Sequence, residues 1–391
     1  MTQNTDAFDD WIRGNFVALN TRLEEAYFAL DDKTAIESVG DSDKVALLEE
    51  GSTFVATLLS EGNTDEGFDS AYDLLGNVGL YMAACHRHDV DAAVTASPAA
   101  MKNATALSLQ LGASLGLTPR FSTAHQTTHN RSIDGRYKSF TSLDAERVFL
   151  EFNCRGIFSY KRAADALGRI LPLGVSHPVT HDLLAVAKDA LHDVVRFNAE
   201  LFEQLDADRF FYNVRPYYKT YRVGRTDYRG SNGGDFSGIN EVDMLLGLCK
   251  ADAPSYSQLL VDKFLYIRPE DQARLRDCMR RRSLLDHFID RFDSSSTRPW
   301  FQRNVALFLE VCEMHGEAAA QHHDQLVKRF IQRPSEDLSQ EHLNKVTASG
   351  PPLAVVIDAL EKLRDLRMAA DRDDIPSSYA DLQRLRDAVG V

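Results

Sequence analysis

Paired cysteines are missing from this chain. Its five cysteines, Cys85, Cys154, Cys249, Cys278 and Cys312, are scattered and never spaced as C-x-x-C. That pattern excludes a disulfide framework and a structural zinc site. Also missing is any apolar run of the ~18 residues that a membrane-spanning helix needs. The opening "MTQNTDAFDDWIRGNF" has neither the basic nor the apolar region of a secretory leader. Positive charge is short as well: 44 Lys and Arg stand against 58 Asp and Glu, a net charge of −14. Nucleic acid and anionic membrane are therefore excluded as general partners. These absences predict a soluble, cytoplasmic protein. No internal repeat, low-complexity tract or persuasive alternating strand is present.

What remains is ordinary globular composition, 44% hydrophobic and 26% charged over 391 residues, with length for a sizeable core. Apolar residues recur at spacings of three and four over 43–60, 68–87, 98–116, 182–206, 239–249, 255–265, 270–290, 302–331 and 352–370. This period predicts a mainly α, all-helical fold. Gly, Ser and Pro gather in 120–142, 224–235 and 347–352, which read as loops. A boundary near 145 divides a smaller N-terminal helical part, 1–145, from a larger helical domain, 146–391.

The segment "EMHGEAAAQHHDQLVKRFI" (313–331) places His315, His322 and His323 beside Gly316, Ala319 and Ala320. On a helical wheel Glu310, Glu313, Glu317 and Gln321 form a polar face, and all three histidines fall toward the inner side. Buried helical histidines are more often hydrogen-bonded core residues than ligands. Small residues alongside an imidazole would also leave the slot that a heme plane requires. Periodicity alone does not choose between these readings, nor among the three histidines. His86 and His88 in "CHRH" lack metal spacing and are expected to face solvent.

Five stretches in order resemble the indoleamine 2,3-dioxygenase and tryptophan dioxygenase superfamily, among them "YSQLLVDKFLYIRPEDQARLRD" (256–277), which is similar to a helix and "YMPP"-type turn of that superfamily. "FFYNVRPYYKTY" (210–221) is similar to its substrate-arginine segment. "YRGSNGGDFSGINEVDMLLGL" (228–248) resembles its Gly/Ser-rich loop and "FDxLLG"-like helix. "HDQLVKRFI" (323–331) is similar to its proximal-histidine helix, and "TASGPPLAVVIDALEKLRDL" (347–366) to its last loop and helix. The resemblance is strong over 205–366. "LGLTPRFSTAHQTTHN" (115–130) is similar to the helix lining the distal pocket, which the N-terminal part would then contribute. The likeness is greatest to the bacterial branch that includes monodechloroaminopyrrolnitrin synthase.

That resemblance implies a heme-dependent oxidoreductase with His323 as the axial iron ligand. Ala320 stands where the family often has a propionate-binding arginine. Val327 stands where a related hydroxylase has a heme-linking cysteine, so the implied cofactor is non-covalent heme b. Ser231, Asn232 and Gly233 fall in the loop near the porphyrin edge. Arg215 corresponds to the substrate-carboxylate arginine, preceded by Phe210 and Phe211 for an aromatic ring, and Thr347 or Ser349 would meet the amino-acid head group. His125 and His129 are the candidates for a distal catalytic histidine, the alternative being that both merely line a polar loop. The implied function is dioxygenase-type oxygen insertion into an aromatic amino acid, foremost tryptophan or an indole, with molecular oxygen or peroxide as oxidant. The alternatives are hydroxylation or rearrangement of a modified tryptophan or tyrosine in biosynthesis, and a heme sensor or carrier without turnover. A homo-oligomer stays open.

Overall fold

The computed structural model describes residues 2–62, 66–90, 98–325 and 353–390. Within these it is mainly α and divides into two compact units. One is built from 2–151 and 205–235, the other from 152–204, 236–325 and 354–390. No helix among the described residues is long and apolar enough to cross a membrane.

The first unit contains α1 (Gln3–Arg13), α2 (Asn15–Phe28), α3 (Asp41–Glu61), α4 (Phe68–Arg87) and α5 (Pro98–Leu115). Helix α4 is its central rod, with every residue from Ala71 to Cys85 buried except half-buried Asp73. A helix apolar on all sides belongs in the interior. Gly76 and Gly79 let another segment lie against it. A Cβ on Gly76 would come within 2.4 Å of the His125 ring, and one on Gly79 within 2.1 Å of the Phe121 backbone nitrogen.

The end of α4 overturns one expectation. His88 does not face solvent: it is fully buried, donating from Nε2 to Asn20 Oδ1 (2.8 Å) and accepting at Nδ1 from the Tyr27 hydroxyl (3.0 Å). Its neighbour Arg87 forms a buried double contact with Glu24, at 2.8 and 2.9 Å. Polar side chains can enter a core when each finds partners, and sequence alone does not show those partners.

The second unit continues α6 (Asp144–Leu173), whose first residues belong to the other unit, and packs α7 (Val179–Gln204) along α12 (Pro299–Gln321). Around them lie α8 (Gly238–Leu246), α9 (Pro254–Phe264), α10 (Pro269–Cys278), α11 (Leu284–Ser295), α13 (Leu353–Arg367) and α14 (Tyr379–Val389). Proline opens α9, α10 and α12, where its missing N–H costs nothing. The helix expected over 270–290 is broken. Ser283 and Asp286 form a reciprocal capping box that starts a new helix at Leu284. As expected for a mainly α fold, strands are few: among the described residues there is one short hairpin, β1 (Tyr221–Val223) against β2 (Thr226–Tyr228), turning at Gly224 with φ of 64°. Three-residue strands give too short an alternation to read.

At the heart of this unit Asp243 on α8 is fully buried. It accepts from His315 Nε2 (2.6 Å), from Arg367 Nε and Nη2 (both 2.8 Å) and from the Tyr256 hydroxyl (2.7 Å). Burial alone would raise its carboxyl, but Arg367 and His315 hold it well below the usual carboxylate range. Because the folded-state pKa is the lower one, this stabilisation is present above about pH 4 and is lost as acid protonates the group. Asp243→Asn is expected to cost about 3–5 kcal/mol, since it strands the buried Arg367 charge. Urea unfolding at neutral pH measures this, and an unchanged midpoint would remove the cluster from the stability account.

Candidate functional site

Three irregular segments meet in the first unit. The first is the tight turn Thr123–Gln126 and the residues after it. Ser122 caps this turn through His125, whose Nδ1 accepts from the Ser122 backbone nitrogen at 2.9 Å. Its Nε2 donates to the Tyr72 carbonyl at 2.8 Å, and its ring stacks on Tyr72 with centroids 3.9 Å apart. Burial pulls the imidazole down to about 3, so it is neutral at physiological pH with both nitrogens engaged by the protein. His129 is half-buried; its Nδ1 lies 3.0 Å from the Thr128 hydroxyl and its ring meets the Tyr72 ring edge-on at 5.7 Å. Tyr72 is therefore a shared platform for the two histidines.

The second segment begins at Asp206, whose side chain accepts from the Arg209 backbone nitrogen at 3.0 Å. A π-helical turn, Phe210–Val214, leads into a 3-10 turn, Arg215–Tyr218. Turns of the π type are uncommon and often mark functional positions. Phe211 is fully buried, and half-buried Phe210 lies 4.9 Å from the Phe149 ring. Arg215 is buried, with its guanidinium 5.7 Å from the Phe211 ring, and burial pulls its pKa down to about 10. The segment is fixed from below: Arg87 donates to the Tyr212 carbonyl (3.0 Å) and Asn213 Nδ2 to Glu24 Oε2 (2.9 Å). The Tyr217 hydroxyl lies 3.2 Å from His88 Nε2. The buried histidine thus belongs to the support of this segment.

The third is the Gly-rich loop. Arg229 pairs with Asp235 through two contacts of 2.8 and 2.9 Å, and Asp235 also accepts from the Asn232 backbone nitrogen at 2.8 Å. Arg120 donates to the Tyr228 and Arg229 carbonyls at 2.9 and 2.6 Å. Ser231 is buried with its hydroxyl 2.8 Å from that of Thr123, while Asn232 is exposed and Gly233 half-buried. Thr123 also donates to the Asn232 carbonyl at 2.6 Å, and Tyr218 to Gln126 Oε1 at 2.9 Å. These bonds bring His125, His129, Arg215, Ser231, Asn232 and Gly233 onto one scaffold.

His323 lies in the second unit. Helix α12 ends at Gln321 and residues 322–325 continue as a π-helical turn, where a regular helix was expected to run on to 331. Residues 326–331 lie outside the described residues, as do Thr347 and Ser349. His323 is buried and His322 exposed, whereas His315 is fully buried and given to Asp243. The small-residue slot is corrected in part. A Cβ on Gly316 would sit 3.2 Å from Met368 Cα and 3.3 Å from the Arg367 carbonyl oxygen, so this glycine lets two backbones pack together. Asp243, the aspartate within "EVDMLLG", is a structural centre that sequence reasoning passed over; the only signal was its place in the quoted motif.

An imidazole is one of the axial donors that heme iron takes in proteins that handle oxygen or peroxide. His323 supplies one from a non-α turn, so the residue type fits the group. The family model described as monodechloroaminopyrrolnitrin synthase PrnB matches residues 2–389. A search of curated proteins found no match. A family match that runs through both units, loop and histidine helix included, shows that the chain belongs to the PrnB family of heme-dependent oxidoreductases, within the superfamily of indoleamine and tryptophan dioxygenases.

Proposed function

We propose that this enzyme carries out oxygen- or peroxide-dependent modification of a tryptophan-derived amino acid in a biosynthetic pathway. The observation that carries this reading is the PrnB match over residues 2–389. The family's description as a synthase favours rearrangement of the substrate over simple dioxygenase cleavage, which stays the second reading. Family membership disfavours a carrier without turnover.

His323 would hold the iron of a non-covalent heme b, which supplies oxidant activation and electron transfer that side chains cannot. Arg215 would receive the substrate carboxylate. A buried guanidinium offers two parallel donors to that group, and the anion offsets the cost of keeping the cation out of water. Phe210 and Phe211 would pack against the aromatic ring and exclude water. Ser231, Asn232 and Gly233 would face the cofactor, and Thr347 or Ser349 the amino-acid head group. Of the two histidines, His129 suits the distal role, because both ring nitrogens of His125 already serve the fold. His129 would hold or pass a proton at its imidazole.

His125→Ala is accordingly expected to lower stability by about 1–3 kcal/mol through its lost hydrogen bonds. His129→Ala should stay within about 0.5 kcal/mol of the parent yet change turnover. Thermal unfolding and steady-state rates separate the two, and parental turnover in both single variants and the double variant would end the distal assignment.

The reading as a whole is tested by the absorption spectrum of purified protein. It requires a Soret band, a pyridine adduct typical of heme b, and a band shift on adding tryptophan. A heme-loaded protein blind to every aromatic amino acid would refute it.

A further inference from the structure

The turns Thr123–Gln126 and Arg215–Tyr218 are both 3-10 helical, so residues three apart stand on the same side of each. One side of the first turn grips both other segments. Thr123 holds the Gly-rich loop through Ser231 and the Asn232 carbonyl, and Gln126 holds the arginine turn through Tyr218. On the second turn Tyr218 shares its side with Arg215. The His129 backbone nitrogen donates to the Ala124 carbonyl at 2.8 Å, which fastens that histidine to the first turn as well. Gln126 and Tyr218 are both buried, with the Tyr218 hydroxyl donating to Gln126 Oε1 at 2.9 Å. The other end of the amide, Nε2, donates to Glu146 Oε1 at 3.5 Å. Glu146 is fully buried and accepts from the Phe140 and Thr141 backbone nitrogens at 2.7 Å each. An amide that gives its nitrogen to a carboxylate offers its oxygen to the hydroxyl. The Tyr218 ring lies among Phe121, Phe140 and Phe149, with centroids 5.7, 5.9 and 6.0 Å away, which fixes the reach of that hydroxyl.

We propose that Gln126 and Tyr218 are a pair of positioning residues, whose hydrogen bond sets a substrate held by Arg215 in register with His129. This rests on the readings of Arg215 and His129 given above. Arg215 fixes one end of the amino acid, its carboxylate. The aromatic end meets the histidine correctly only while the two turns keep their spacing, and the Gln126–Tyr218 bond ties them. Without it the carboxylate still finds its guanidinium fork, so binding survives. The reacting ring is then misplaced, and a shift of about 1 Å can cost about 100-fold in rate. Loss of the bond therefore strikes turnover rather than affinity.

The experiment uses two substitutions that remove the same bond from opposite ends. Tyr218→Phe deletes one hydroxyl, and Gln126→Leu replaces the amide with an apolar group of similar size. Each heme-loaded variant is titrated with L-tryptophan by its Soret change, and kcat is measured per heme with dioxygen and with peroxide. Each should keep Kd within about threefold of the parent while kcat falls at least about tenfold. The double variant should match either single one, since both lose one shared bond. In a His129→Ala background neither substitution should lower kcat further, because the partner being aligned is gone. A bond that merely cements the fold would lower the thermal midpoint and leave kcat per heme parental. Parental kcat in both variants, beside lowered kcat in His129→Ala and abolished binding in Arg215→Leu, overturns this inference alone. So does a loss confined to Kd, or one that adds to the loss in His129→Ala. Parental turnover in His129→Ala, parental binding in Arg215→Leu, or a parent inert toward L-tryptophan overturns the inference together with the reading beneath it.

Discussion

His323→Ala will purify without heme, or with the iron in an altered spin state, while His322→Ala and His315→Ala keep their Soret bands. Three histidines compete for the iron, and their surroundings differ. His315 is occupied, its Nε2 donating to Asp243 at 2.6 Å. Its removal should cost about 1–3 kcal/mol of stability, because a buried acceptor loses its donor. His322 is exposed in part beside the motif residue, yet burial around it pulls its imidazole down to about 4, so the motif register is what separates it from His323. Only His323 combines the "HDQLVKRFI" match with burial in a non-α turn. Outer partners of a metal ligand typically change affinity 10–100-fold, and loss of the ligand itself should exceed about 100-fold. An undisturbed Soret band in His323→Ala, beside a heme-free His315→Ala or His322→Ala, would move the ligand to another register.

Arg215→Leu will keep heme and lose amino-acid binding. The lost contact is charge-assisted, bidentate and desolvated, worth about 2–4 kcal/mol, or about 30- to 1,000-fold in Kd. Arg215→Lys should recover only part of it, since an ammonium cannot reproduce the planar fork. The readout is the spectral titration with L-tryptophan, and unchanged shifts in Arg215→Leu would take this residue out of the site.

Much of the fold was legible because long helices write their period into the sequence. Helices α3, α4, α5 and α7 fall within a few residues of their expected bounds. The 30-residue α6 was passed over although its buried Val148, Phe152, Ala163, Leu167 and Ile170 recur at spacings that a helix brings to one side. Helices α1, α2 and α14 were missed as well; α1 and α14 are short and polar for their length. The break at 279–283 turned on Ser283 and Asp286 three residues apart, a local capping signal that the longer apolar period hid.

The candidate site was legible residue by residue but not as an assembly. The bonds that join its three segments, Thr123 to Ser231 and Tyr218 to Gln126, span 108 and 92 residues. No local pattern reports such pairing. The support of Arg215 by Glu24, Arg87, His88 and Asn213 is invisible for the same reason. His88 shows how a polar residue at a helix end can be core rather than surface. Gly316 shows the converse limit: a small residue marks a close approach without saying whether a cofactor or a backbone fills it.

Product analysis of heme-loaded enzyme under labelled dioxygen or peroxide, with tryptophan and ring-substituted tryptophans as substrates, tests the central claim most directly. The account expects a new product, told from its tryptophan substrate by mass where it is oxidised and by retention and fragmentation where it is rearranged, formed by the parent and not by Arg215→Leu or His323→Ala. Recovery of every tryptophan unchanged by a heme-loaded parent supplied with either oxidant would contradict it.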